Sequence, residues 1–130
     1  MPATTRAYEC FDAERWKAEV DVRDNPLVSG GHSGLALLYA QMGWKAPALA
    51  EAARALELGP PADAFMERWF HFNLARAYAW AAEPEPALKQ VALVLSSQWD
   101  YKVNNFRLDP VWDPIRKDPR FQKMVEAKGK

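Results

Sequence analysis

The chain has 130 residues, 49% of them hydrophobic, and its 17 Lys and Arg residues balance its 17 Asp and Glu residues. This length predicts one domain with a modest core or a fragment of a larger protein built from repeated units, and the lack of excess positive charge argues against a nucleic-acid partner. The single cysteine, Cys10, excludes an internal disulfide.

The first predicted element is one helix that ends near Asn25-Pro26 and forms an N-terminal helix or partial repeat over residues 1–26. Its inner face is predicted to carry Tyr8, Phe11, Ala18 and Val22. This stretch lacks the apolar run of a signal peptide, and no run in the chain approaches the ~18 apolar residues of a membrane span. We therefore expect a cytoplasmic protein without membrane contact.

Next comes an internal repeat, in which residues 32–60 match residues 71–99 without a gap at a distance of 39 positions. The shared positions are His32/His71, Leu35/Leu74, Ala36/Ala75, Tyr39/Tyr78, Pro47/Pro86, Ala48/Ala87 and Leu49/Leu88. Apolar residues at helical spacing on both sides of a short turn predict a helical hairpin in each copy. Pro47 and Pro86 are expected in the first turn of each second helix, where a missing amide hydrogen costs little.

The spacing Leu35-Ala36-x-x-Tyr39, followed by Ala48, Ala52, Ala55 and Pro60, resembles the tetratricopeptide repeat, whose period is about 34 residues. Residues 106–126 make the resemblance more specific. This ending is similar to the C-terminal tetratricopeptide segment of bacterial kinase, cyclase and DNA-binding regulators. The resemblance implies an all-α, right-handed array of helical hairpins. Repeat 1 would cover 29–62, repeat 2 with an extended first helix 63–99, and an Asp-Pro-rich lid 100–130.

Three Asp-Pro pairs, at Asp109, Asp113 and Asp118, could mark a metal site, a catalytic cluster or a series of helix starts. Asp is a preferred N-cap and Pro suits the first helical position, whereas a Ca²⁺ loop would need alternating Asp or Asn with a glycine and a closing Glu. We expect caps and no metal. The lid residues predicted to cover the apolar end of repeat 2 are Leu108, Val111, Trp112, Ile115 and Phe121.

No constellation of catalytic residues is evident, so we expect a protein without enzymatic activity, cofactor or metal. His32 and His71 could act as acids, bases or ligands, but they share one repeat position and are interpreted as packing residues. Cys10 has no neighbouring cation or histidine in sequence that would activate it.

The remaining hypothesis is a binding surface, because in such arrays the first helix of each hairpin lines a concave groove. The predicted groove residues are Ser33, Leu37, Ala40, Gln41, Trp69, Phe72, Asn73, Arg76 and Trp80. Trp69, Arg76 and Trp80 are the predicted anchors, although Trp69 and Trp80 could equally belong to the core. We expect a protein-interaction module for a partner peptide or domain, with a small-molecule sensor or a self-associating scaffold, such as a homodimer, as alternatives.

Overall fold

The computed structural model describes residues 2–96, 106 and 108–129, with side chains described for residues 12–96, 106 and 108–127. Its helices are α1 (Pro2–Asp24), α2 (Ser29–Gln41), α3 (Lys45–Leu58), α4 (Ala64–Trp80), α5 (Pro84–Ser96) and α6 (Pro119–Gly129), with a 3₁₀ turn at Pro110–Trp112. These residues contain no β-strand, so the predicted all-α class is confirmed.

Two helical hairpins, α2–α3 and α4–α5, pack together through their first helices. Helix α1 packs on the other side of α2, while the 3₁₀ turn contacts α4 and α6 contacts α5. Small side chains occupy the interior of the hairpins, which allows the helices to approach closely. The buried alanines are Ala36, Ala40, Ala48, Ala52, Ala55, Ala75, Ala77, Ala79, Ala81 and Ala87.

Both hairpins turn in the same way, at positions 39 residues apart. Gly43 has a φ of +80° and Ala82 a φ of +59°, so each chain reverses through a left-handed residue. The next amide donates to the carbonyl five residues back, from Trp44 to Tyr39 at 2.8 Å and from Glu83 to Tyr78 at 2.9 Å. This is the Schellman pattern, which satisfies carbonyls at a helix C-terminus.

The starts of the second helices agree with the prediction for the prolines. Helix α3 begins at Lys45 and α5 at Pro84, which places Pro47 and Pro86 in the first turn. Helix α4 has 17 residues against 13 in α2, and the extra residues precede Arg68, which matches the predicted extension. Asp63 caps the longer helix by accepting from the Met66 amide at 3.0 Å.

The Asp-Pro pairs at Asp109 and Asp118 are caps, as predicted. Asp109 Oδ1 accepts from the Val111 amide at 3.0 Å, and Asp118 Oδ1 accepts from the Arg120 amide at 2.9 Å at the start of α6. Asp113 differs, because its carboxylate accepts from the Arg116 side chain at 3.0 Å.

Helix α6 is tied to α5 by a small charged network around Arg120. Its guanidinium donates to Asp118 Oδ2 at 2.9 Å and also to Glu85 in the first turn of α5. The hydrogen bonds from Arg120 hold the pKa of the Asp118 carboxyl below its ordinary value.

The predicted apolar cover is confirmed except at one position. Val111, Trp112, Ile115 and Phe121 are buried, whereas the prediction for Leu108 is wrong, because its side chain is 78% exposed. Phe106, which the sequence did not single out, is buried instead. Trp112 packs against Phe72, Phe106 and Phe121 at ring-centroid distances of 5.9, 5.0 and 6.0 Å.

Some predictions fall outside the described residues. They are the boundary between repeat 2 and the lid at 99 and 100, and the side chains of Tyr8, Cys10 and Phe11. The other two residues predicted for the inner face of α1, Ala18 and Val22, are half-buried.

Candidate functional site

Helix α4 presents an aromatic face to solvent. Phe65, Trp69, Arg76 and Trp80 recur at intervals of four, seven and four residues, which places them on one side of the helix. Phe65 is 59% exposed, Trp69 38% and Trp80 42%. Large apolar side chains scattered singly are ordinary on a surface, but three on one helix face form a patch. We call these four residues the α4 aromatic face.

The exposed aromatic rings are joined to the buried ones by edge-to-face contacts. Trp69 lies between Phe65 and Phe72, with ring-centroid distances of 6.3 and 5.8 Å. Phe72 is buried and in turn contacts Trp112, at 5.9 Å. Because edge-to-face pairing fixes ring orientation, Trp69 is held in place by the core beneath it.

Arg76 is also held in position on this face. Its Nη2 donates to Asn73 Oδ1 at 2.5 Å, and its Cζ lies 4.3 Å from the centroid of the Phe72 ring. Both Arg76 and Asn73 are half-buried. A guanidinium stacked on an aromatic ring keeps its charge while losing little freedom on binding a partner.

The residues of α2 predicted for the groove lie mostly inside the fold. Ser33 is fully buried and donates to the Gly30 carbonyl at 2.9 Å, while Leu37 and Ala40 are also buried. Only Gln41 is partly open to solvent. The reason is that α1, α3 and α4 all pack on α2 and leave it little free surface.

Two exposed residues of this region were missed from sequence, Phe65 and Met66, which is 47% exposed. Their segment was interpreted as a junction between repeats. The signal was nevertheless present for Phe65, since it precedes Trp69 by four residues, the same spacing that separates Arg76 from Trp80.

The two histidines make corresponding contacts between the helices of their hairpins. His32 Nδ1 lies 2.6 Å from Glu51 Oε2, and His71 Nδ1 lies 2.7 Å from Gln90 Oε1. Both contacts span 19 residues. Each histidine therefore joins the first helix of a hairpin to the second through a polar contact.

A separate crevice lies between α4 and α5. It has a volume of about 320 Å³ and is lined by Ala64, Glu67, Arg68, His71, Leu93, Val94 and Ser96. By helical position, Glu67 and His71 are on the opposite side of α4 from the aromatic face. It is therefore not the pocket that a ligand enclosed by Trp69, Arg76 and Trp80 would require.

Within the described parts of the chain, no three His, Cys, Asp or Glu side chains are grouped to hold a metal ion. No helix among those residues is both long and apolar enough to cross a membrane. Comparisons of the chain with known protein families, with curated proteins and with solved structures find no match.

Proposed function

We propose that this chain is a non-enzymatic protein-interaction module that binds a partner segment through the α4 aromatic face. The observation that carries the proposal is the exposure of Phe65, Trp69 and Trp80 on one side of α4, with Arg76 between them. Trp and Arg are the residues that most often dominate the free energy of protein interfaces. Rings anchored from below lose little conformational entropy when they bind.

We further propose that the module is of the tetratricopeptide type and works in a bacterial cytoplasmic regulator. The repeated turns at Gly43 and Ala82 support this assignment, as do the matching contacts of His32 and His71 at the same offset of 39 residues. The motif residues Ala48, Ala52, Ala55 and Ala87 are all buried between helices, where that repeat places small side chains.

The length of the face sets the size of the partner. Phe65 and Trp80 are 15 residues apart on a continuous helix, which corresponds to about 22 Å at 1.5 Å per residue. A partner helix of about four turns or an extended peptide of about seven residues would cover that distance. We expect apolar side chains in the partner opposite the rings.

The experiment is partner capture from a cell lysate, comparing the native chain with a Phe65→Ala/Trp80→Ala variant. These two side chains are 59% and 42% exposed and lie outside the buried core, so their removal should leave the fold intact, which circular dichroism would check. Trp16→Ala is the control, because Trp16 is also an exposed tryptophan, at 65%, and lies on a different helix, α1. Proteins retained by the native chain and the control, but lost from the double variant, identify the partner.

Equal capture by all three proteins would refute the proposal. Light scattering on the purified native chain and variants separates partner binding from self-association through the α4 aromatic face. A native dimer that becomes monomeric in the double variant would assign the aromatic face to self-association.

A further inference from the structure

We propose that His32 carries a proton on both ring nitrogens and, as an imidazolium, clamps the α1–α2 loop to the first hairpin in a proton-dependent manner. This inference concerns a site away from the α4 aromatic face and stands independently of the proposed function.

Both nitrogens of the His32 ring face hydrogen-bond acceptors. His32 Nδ1 lies 2.6 Å from Glu51 Oε2, and His32 Nε2 lies 2.7 Å from the Pro26 carbonyl oxygen. An ionised carboxylate and a backbone carbonyl only accept hydrogen bonds. A neutral imidazole has a single N–H and can serve one of them. Both contacts are made when the ring donates from both nitrogens.

The burial of His32 makes an unpaired charge or an unsatisfied acceptor costly at this site. His32 is only 5% exposed, and the Glu51 side chain is 24% exposed. A buried charge is costly unless it is paired and hydrogen-bonded, and His32 meets both conditions. Conversely, a neutral ring would leave either Glu51 or the Pro26 carbonyl facing a nitrogen lone pair at short range.

Charged groups of α1 and α3 act on Tyr39, which lies on α2 as His32 does. From α1, Glu19 Oε1 accepts from the Tyr39 hydroxyl at 2.8 Å. Burial, together with this hydrogen bond and the negative charges of Glu19 and Glu51, raises the pKa of the Tyr39 phenol to about 12, against the opposing effect of Arg15. Two carboxylates and one guanidinium therefore act on the interior between α1, α2 and α3.

Among the described residues, no other element places a second ion-pair partner beside His32. Helix α2 carries no other charged side chain, and Arg23 and Asp24 at the end of α1 are exposed and lie 3.6 Å from each other. Helix α4 also packs on α2, yet none of its charged groups comes within ion-pair distance of His32 in the described structure. Glu51 is the carboxylate that pairs with the ring.

The second hairpin provides a built-in comparison. There Gln90 stands where the first hairpin has Glu51, and an amide can donate as well as accept. The other nitrogen of His71 lies 3.8 Å from Glu67 Oε1, beyond hydrogen-bond distance. A neutral ring satisfies the His71 site, whereas it fails to satisfy the His32 site.

The consequence concerns α1. Helix α1 packs chiefly on α2, so the bond from His32 to the Pro26 carbonyl is a principal link between the α1–α2 loop and the hairpin. As the pH rises and the ring loses one proton, the remaining N–H stays on the Glu51 carboxylate, which is the stronger acceptor, and the bond to the Pro26 carbonyl is lost. The clamp is therefore closed when the ring is doubly protonated and opens on deprotonation.

The test is ¹⁵N NMR of the imidazole rings in the whole chain, from acidic to mildly alkaline pH. We expect two protonated nitrogens at His32 at neutral pH, where His71 shows one protonated and one unprotonated nitrogen. Glu51→Gln is the isosteric variant, because its amide can donate to Nδ1. We expect it to convert His32 to a single N–H at the same pH, with the backbone spectrum showing an intact fold.

A native His32 with one unprotonated nitrogen at neutral pH would overturn the proposal, as would an unchanged ring in Glu51→Gln. The clamp itself is tested by amide hydrogen exchange, normalised for the intrinsic effect of pH. We expect the protection of residues 12–24 to fall as His32 loses its proton, and the protection of α5 to stay constant. Constant protection of residues 12–24 through that transition would refute the clamp.

Discussion

Removal of the Trp112 side chain should be among the most damaging single changes to this fold. The residue has no exposed surface and its ring contacts Phe72, Phe106 and Phe121, so it joins the C-terminal segment to α4. Trp112→Ala leaves a cavity in this cluster, and such truncations cost about 3–5 kcal/mol. Against a total of about 5–15 kcal/mol for a typical domain, the variant should be marginally folded.

Trp112→Phe should cost less stability than Trp112→Ala, because it keeps an aromatic ring in the cluster. Among the described residues, the buried indole Nε1 of Trp112 has no hydrogen-bond partner. Phenylalanine is smaller by roughly 40 Å³, a void that costs about 1 kcal/mol at ~24 cal/mol per Å³. The substitution also removes an unsatisfied buried donor, whose penalty is about 1–3 kcal/mol. The two effects oppose each other, and we expect a net change within about 1 kcal/mol of the native chain.

The assay is urea unfolding followed by far-ultraviolet circular dichroism, which does not depend on the tryptophan being replaced. Two-state fits give the free energy of unfolding and the m-value of each variant. Trp16→Phe on the exposed side of α1 is the control and should change stability by less than about 0.5 kcal/mol. A loss clearly above about 1 kcal/mol for Trp112→Phe, the cost of the void alone, would refute the reasoning about the indole N–H. A loss below about 1 kcal/mol for Trp112→Ala would refute the packing role.

Three further predictions concern backbone and charge. Gly43→Ala should destabilise the fold by about 1 kcal/mol, and Ala82→Gly should stabilise it by up to about as much, because both positions have positive φ. Thermal unfolding would measure both changes. Melting-temperature shifts of the same sign in the two variants would contradict the role of positive φ in these turns. Arg120 lowers the pKa of Asp118 in the fold, so the stability from this carboxylate is present above its ordinary value of 3.8 and lost as the pH falls below it. The melting-temperature difference between the native chain and Asp118→Asn should therefore shrink on acidification, and a constant difference would count against the pair. The folded-state pKa of Tyr39 is raised from 10.0 to about 12, so the unfolded chain ionises first and stability is lost as the pH rises through that interval. Tyr39→Phe should remove this alkaline loss, which urea unfolding at several pH values would detect, and a persistent loss would assign it to another group.

Much of the local structure could be predicted from sequence. The end of α1 near Asn25, the turn at Gly43, and the caps at Asp109 and Asp118 all depend on backbone preferences of a few neighbouring residues. The left-handed Ala82 could be located only through its alignment with Gly43, since alanine itself gives no such signal.

The exposed aromatic face of α4 was less predictable. Trp69 and Trp80 could not be assigned to core or surface from their identity, because large aromatic residues serve both. Ser33 is buried against expectation for a polar residue, and its hydroxyl is satisfied within its own helix, at the Gly30 carbonyl. Leu108 is exposed because burial of an apolar residue is a preference and not a requirement.

By itself, the sequence determined the helical class, the hairpin repeat of 39 residues and most helix ends, since these follow from periodicity and short-range hydrogen bonding. Only the tertiary structure decided which faces remain open, because exposure depends on elements far away in the chain. The packing of α1, α3 and α4 covers α2, and the 3₁₀ turn buries Phe72 beneath Trp112 while leaving Phe65, Trp69 and Trp80 exposed. The same long-range packing placed Glu51 and the Pro26 carbonyl on opposite sides of His32, a pairing of acceptors that no local pattern contains.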